Sequence, residues 1–324
     1  MPIKIRPATP ADHAVILNLE NESRQSEPPL SMETFRYLER PESRPPNAVH
    51  ERWVVECEEV VGTAFLESMV WQNAPGAYIV KVVIARSHRR KGVGSTLLEY
   101  VEARARELQA EKLYGWVVET EPDSLRFAQR RAFMHTGRQS RHSRLDVRAA
   151  RLKGFEGVEE KLRLEDIHIM TLEEAGSDDP AVLEALYEVD RLSGQGIPGS
   201  EEFKMIPFDV WRRELRNTPG VSPEHTWVAT HGRRPVGNAV LELRAPTTAF
   251  NDYTGVLPDY QRRGIARALK FRTVEWCRHH GIEYIYTEND GENARMLSIN
   301  VSLGYEMLPA SYELLKWVDR APPQ

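Results

Sequence analysis

The stretch RRKGVGSTLLEYVEARAREL, residues 89–108, returns as QRRGIARALKFRTVEWCRHH, residues 261–280. Each reaches a glycine at its fourth position, Gly92 or Gly264, and then runs into an apolar stripe at helical spacing. In the first, Val93, Leu97, Leu98, Val101, Ala105 and Leu108 share a face; in the second, Ile265, Leu269, Thr273, Trp276, Cys277 and His280 do. The shift of 172 residues that carries Arg89 onto Gln261 also carries Phe133 onto Tyr305. Upstream, WVVECEEVVGTAFLE (53–67) matches WVATHGRRPVGNAVLE (227–242), and the opening IKIRPATPAD matches DIHIMTLEEA. So long a period is not a solenoid unit but a duplicated domain. The copies span residues 1–150 and 163–324. The linker between them, 151–162, is charged and reads as ordered, because the stretch has few Gly and no Pro.

Working outward through copy one, KIRPA reads as a strand and Pro10-Ala11-Asp12 opens a helix. Strands follow at 53–57, 61–68 and 77–85, then the helix after Gly94, a strand at 112–119, a short helix at 123–131 and a pair of strands over 133–148. Copy two repeats the order. Strands with helices between them predict an α+β, mixed α/β chain, two tandem domains each with a mixed central sheet flanked by helices.

The composition fits a soluble globular protein, with 41% hydrophobic and 28% charged residues. No window is apolar enough for a membrane helix, and the first residues read as a strand instead of a leader, so a cytoplasmic protein is expected. A net charge of −5 argues against nucleic acid as partner. The two cysteines, Cys57 and Cys277, are far apart, and Cys277 aligns with Ala105, so both read as small buried packing residues. No metal-ligand spacing occurs; His279-His280 sits at a helix end.

The chemistry lies in the loop. Arg89-Arg90-Lys91-Gly92-Val93-Gly94-Ser95 and Gln261-Arg262-Arg263-Gly264-Ile265-Ala266-Arg267 each join a strand to a helix. Glycine lets backbone come close to a ligand. The helix N-terminus then offers unpaired N–H groups and partial positive charge, which together suit a pyrophosphate. The glycine spacing is neither that of a Walker loop nor that of a dinucleotide fingerprint.

With R/Q-x-x-G-x-G/A present twice in this context, both copies resemble the GNAT N-acetyltransferase superfamily, in the tandem two-domain arrangement. The resemblance implies acetyl-CoA or CoA as cofactor, held by both loops. It also implies that Val82, Val83 and Ile84, and in copy two Thr254, Gly255 and Val256, pair with the pantetheine arm. The amide of Ile84 or Val256 would then face the thioester carbonyl. Asn289 and Asn293 stand where relatives contact the cofactor; Asn293 equally reads as a helix N-cap. Copy one has Asp123-Ser124 there, which reads as a cap.

The family's usual acid and base are missing. The tyrosine position holds Ala128 and Asn300, and the strand glutamate position holds Tyr78 and Phe250. Asp252, two residues beyond Phe250, and the paired strand residues Glu67 and Glu242 are the substitute carboxylates. Each reads either as a site residue or as the exposed member of an alternating strand. The arginines of 126–148 form either a solvated face or an acidic-ligand contact. The expected activity is acyl transfer from acetyl-CoA to a primary amine of a small molecule by direct attack, centred on copy two. A non-catalytic acyl-CoA-binding or regulatory protein is the alternative.

Overall fold

The computed structural model describes residues 3–155 and 157–319; the outermost expected domain limits, 1 and 324, lie outside them. In chain order the elements are β1 (Lys4–Pro7), α1 (His13–Ser23), α2 (Met32–Leu38), β2 (His50–Cys57), β3 (Glu59–Ser68), β4 (Ala77–Ile84), α3 (Val93–Glu107), β5 (Lys112–Val118), α4 (Pro122–Gln129) and β6 (Met134–Asp146). Then come α5 (Val158–Leu164), β7 (Ile167–Thr171), α6 (Leu172–Ala175), α7 (Pro180–Gly194), α8 (Phe208–Asn217), β8 (Trp227–His231), β9 (Arg234–Ala245), β10 (Thr248–Val256), α9 (Ile265–His279), β11 (Tyr284–Asp290), α10 (Ala294–Leu303), β12 (Glu306–Met307) and β13 (Ser311–Trp317). The expected strand pair over 133–148 is one strand, β6. Among the described residues no helix is long and apolar enough to cross a membrane.

Contacts divide the chain into a unit of Met1–Ser140 with Pro309–Gln324, and a unit of Arg141–Leu308. In the first, the sheet order is β1-β2-β3-β4-β5-β13-β6. The α3 stripe of Val93, Leu97, Leu98, Val101 and Ala105 is buried against Trp53, Leu66, Leu113 and Leu314. In the second, the order is β6-β11-β10-β9-β8-β7, where β6 contributes its residues after Ser140. There Ile265, Ala268 and Leu269 of α9 pack on Ala229, Val236 and Ala239, and Cys277 packs on Leu241, Ala249 and Ile285.

This partition departs from the expected limits of 150 and 163. The last strand of the sequence completes the sheet of the first unit, with all seven β13 residues pairing β5 from Ser311↔Val118 to Trp317↔Lys112. Its Leu314 is 1% exposed in that unit's core.

Two features of register make a site. The central parallel pairs are short. β4 meets β5 only at Ala77↔Lys112, Tyr78↔Leu113 and Ile79↔Tyr114, although β4 runs on to Ile84. β10 meets β11 only at Thr248↔Tyr284, Ala249↔Ile285 and Phe250↔Tyr286, although β10 runs on to Val256. Beyond those points each pair parts. The second feature belongs to β10 alone, where the register on β9 shifts between Asn251 and Tyr253. That bulge reverses the strand's alternation. Phe250 opposes Glu242, Tyr253 opposes Val240 and Gly255 opposes Asn238, so all three share one face. Asp252 is the extra residue. β4 keeps unbroken register from Gly62↔Ile84 to Ser68↔Tyr78.

Candidate active site

The two loops have one conformation. Gly92 (φ 85) and Gly264 (φ 97) are left-handed N-caps of α3 and α9, and Arg90 (φ 63) and Arg262 (φ 65) are left-handed two residues earlier. Neither helix start has a side-chain cap, so the leading amides keep their hydrogens for a ligand. A Cβ at Gly92 would meet nothing within 4 Å, whereas one at Gly264 would lie 3.0 Å from Val158 Cγ1. Both loops are tied to the parted strand at the same point. Arg89 Nε donates to the Ile84 carbonyl at 3.0 Å, and Gln261 Nε2 donates to the Val256 carbonyl at 3.3 Å. That shared bond explains why the first motif position accepts Arg or Gln. These groups fit a pyrophosphate-bearing cofactor.

Around the loops, Arg90 and Lys91 are exposed, and Arg131 of the α4 end donates to Ser95 Oγ. In the second copy Arg263 pairs with Glu165 at 3.1 Å, and Arg267 donates to the Gly154 carbonyl at 3.2 Å and lies over Phe155. Val82 and Thr254 are half-buried, while Val83, Ile84, Gly255 and Val256 are buried at the parting of their strands. Val93 and Ile265 point into the cores, Gly94 lies beside Ile84 and Phe127, and Ala266 packs on the core of the second unit.

Several expected site residues have other work. Asn293 is the N-cap of α10, accepting from the Met296 amide at 3.3 Å. Asn289 Oδ1 accepts from Asn300 Nδ2 at 2.7 Å, so the residue in the family's tyrosine position is buried and spent on Asn289. α4 starts at Pro122 with Glu121 as N-cap, not at Asp123-Ser124. Glu242 is buried and paired with Arg244 at 2.6 Å. Glu67 is bound by His50 at 2.6 Å and lies 3.6 Å from Arg44. Both strand glutamates are therefore committed to ion pairs. Of the arginine-rich stretch, Arg126 pairs with Asp123, Arg144 with Glu306 and Arg148 with Glu283, as a solvated face does.

Asp252 differs. No hydrogen bond or ion pair holds it among the described residues. It keeps solvent access, yet surrounding protein raises its carboxyl, against the pull of Arg244.

The residue that sequence reasoning missed is Asp190, on α7. Trp211 Nε1 donates to its Oδ2 and Asn238 Nδ2 to its Oδ1, both at 2.8 Å. Burial pushes its carboxyl up to about 7; those two bonds oppose the shift and Asp252's charge adds to it. Tyr253 joins the same group, its hydroxyl 2.7 Å from Ser193 Oγ, and burial raises that phenol further.

Copy one shows what this arrangement lacks. Its helix acid is Glu20 on α1, which faces Lys81, and Lys81 aligns with Tyr253. Arg52 also binds Glu20, at 2.8 Å; the Trp53–Trp227 match aligns Arg52 with Thr226. Burial alone would raise the Glu20 carboxyl, but the two cations bring it down to about 2. One copy thus holds a clamped carboxylate, and the other a carboxyl held only by neutral donors. A spacing rule could not have found Asp190, because its signal is the absence of cations at positions 226 and 253.

The model of the Acetyltransferase (GNAT) family matches residues 15–133 and again 183–301. Mycothiol acetyltransferase of Saccharomonospora viridis is 26% identical over 265 residues, 76% of each chain. Among solved structures, a tandem GNAT protein from the clavulanic acid biosynthesis pathway superposes with a TM-score of 0.74 at 18% identity, over 99% of this chain and 100% of that one. A GCN5-related N-acetyltransferase from Sphaerobacter thermophilus gives 0.69 at 16% identity, over 99% and 98%. These structural likenesses speak for the fold.

Proposed function

The chain belongs to the acetyltransferase (GNAT) family, and from that premise we propose that its second copy transfers an acetyl group to the primary amine of a small molecule. The cofactor of the family is acetyl-CoA, which when bound supplies an activated acetyl thioester. The Gly264 loop and the leading amides of α9 would hold its pyrophosphate, and the parted edge of β10 from Thr254 to Val256 would run beside its arm. The Gly92 loop is a second site of the same kind, in a copy whose helix acid is clamped.

What carries the assignment to copy two is Asp190. An amine arrives as an ammonium and cannot attack until it loses a proton. A carboxylate at its ordinary value of 3.8 is a poor acceptor for that proton, and Glu20, held at about 2, is poorer. Asp190, at about 7, is charged above neutrality and basic enough to take it. Trp211 and Asn238 fix both carboxyl oxygens without lowering their basicity as a cation would.

The test is acetyl-CoA-dependent thiol release with a panel of primary amines. Asp190→Asn keeps the shape and one of the two accepting oxygens but is no base, and should lower kcat by about a hundredfold or more. The wild-type rate should fall with acid below about pH 7. Full activity in the Asp190→Asn protein would remove Asp190 from the reaction.

A further inference from the structure

We propose that the acceptor carries a second positive charge besides the amine that reacts, and that Asp252 binds it. This rests on the reading above, in which Asp190 serves the reacting nitrogen. The surroundings of the helix acid differ between the copies. In copy one Arg52 and Lys81 bind Glu20, and the three sum to one positive charge; in copy two the aligned residues are Thr226, Tyr253 and Asp190, and the β10 bulge inserts Asp252, which makes two negative charges. The same fold has therefore lost two cations and gained an acid.

Among the described residues no cation takes their place at Asp190 or Asp252. Arg244, the cation whose charge Asp252 feels, is bound to Glu242 and lies over the Phe250 ring. Asp252 has no hydrogen bond or ion pair among the described residues. A separate observation concerns Asn238, which donates to Asp190. Asn238 is 1% exposed, its amide is aimed at Asp190, and its Oδ1 has no partner. An N–H donor delivered to Asp190 is the group that oxygen lacks, since a buried acceptor is costly to leave unpaired. Asp252 adjoins Tyr253, whose hydroxyl lies 3.5 Å from the Asp190 carbonyl oxygen, and the charge of Asp252 disfavours that of Asp190 until a cation joins them. One cation is consumed when Asp190 takes the proton. The other carboxylate then still needs a partner, so a monoamine leaves Asp252 unsatisfied and a diamine does not.

The experiment compares three acceptors with one carbon chain, 1,4-diaminobutane, butylamine and 4-aminobutanoate, using the full chain and acetyl-CoA. The expected kcat/KM falls in that order, with the diamine about tenfold above butylamine, one well-placed charge pair. The advantage should shrink as salt rises. In Asp252→Asn the diamine-to-butylamine ratio should collapse to near one. Equal turnover of the three, a preference for 4-aminobutanoate, or a ratio untouched by Asp252→Asn overturns the inference while leaving the amine transferase reading intact. If acetyl-CoA binds but no acceptor of the three is turned over, both fall.

Discussion

Glu20 and Asp190 are both carboxylic acids on the first long helix of their copies, and both face the same strand position. What separates them is whether Lys and Arg, or Tyr and Thr, stand opposite. For Asp190 the linkage has a definite sign. Its folded value, about 7, lies above the unfolded 3.8, so the folded state holds the proton more tightly. Stability from this group is present at low pH and is lost as pH rises from about 4 to 7. Asp190→Asn should therefore melt higher than the wild type at pH 8, even as its activity falls, the trade expected of a site kept for chemistry. Lys270 on α9 is the converse case. It aligns with the core residue Leu98, is 2% exposed, has the Tyr305 ring 5.4 Å away, and burial pushes its ammonium down to about 7 from 10.5. Here stability is lost as pH falls from about 10 to 7. Lys270→Leu should raise Tm at pH 7 by several degrees, at about 2–4 °C per kcal/mol, and flatten that pH slope. A lower Tm in the variant, measured by circular dichroism, would assign Lys270 a stabilising contact. The apolar stripe was readable in the sequence and this lysine was not, because periodicity predicts which face is buried without saying which exceptions it tolerates.

At the scale of the element, the loop was the most legible part of the chain. A glycine before an apolar helix has few physical reasons to recur at one spacing, and the left-handed φ of Gly92 and Gly264 supplies one. The packing around it was not legible. Gly92 stands in the open, but Val158, from a linker with no counterpart in copy one, lies against Gly264. Ala at either position meets the same backbone cost, about 1–2 kcal/mol for a left-handed residue. Only at 264 must the neighbour also shift, since 3.0 Å is closer than side chains settle. Gly264→Ala should thus lose more stability in urea than Gly92→Ala. Equal losses would mean that Val158 gives way freely. The β10 bulge was likewise invisible. Simple alternation puts Asp252 on the face of Phe250 and Tyr253 on the other; one extra residue brings Tyr253 round to Phe250's face, next to Asp252.

On the scale of the whole molecule, the repeat in the sequence and the units in the structure are different partitions of one chain. Duplication is a fact about ancestry and is read from matching residues. A compact unit is a fact about contacts, and a strand joins whichever sheet offers its edge. β13 belongs by sequence to copy two, yet Tyr312, Leu314 and Lys316 lie opposite Val117, Gly115 and Leu113 of β5, and Leu314 fills the core with Leu97, Leu98 and Val101. No pattern within β13 could predict this, because the alternation that suits one sheet suits the other. The consequence is measurable. Leu314→Ala removes a side chain that is 1% exposed and should cost about 2–5 kcal/mol. Hydrogen exchange then says which unit bears the loss. With β13 in the first unit, faster exchange should appear in β5 and in β6 before Ser140, while β10 and β11 stay protected. Faster exchange in β10 and β11 instead would return the strand to the copy from which its sequence came.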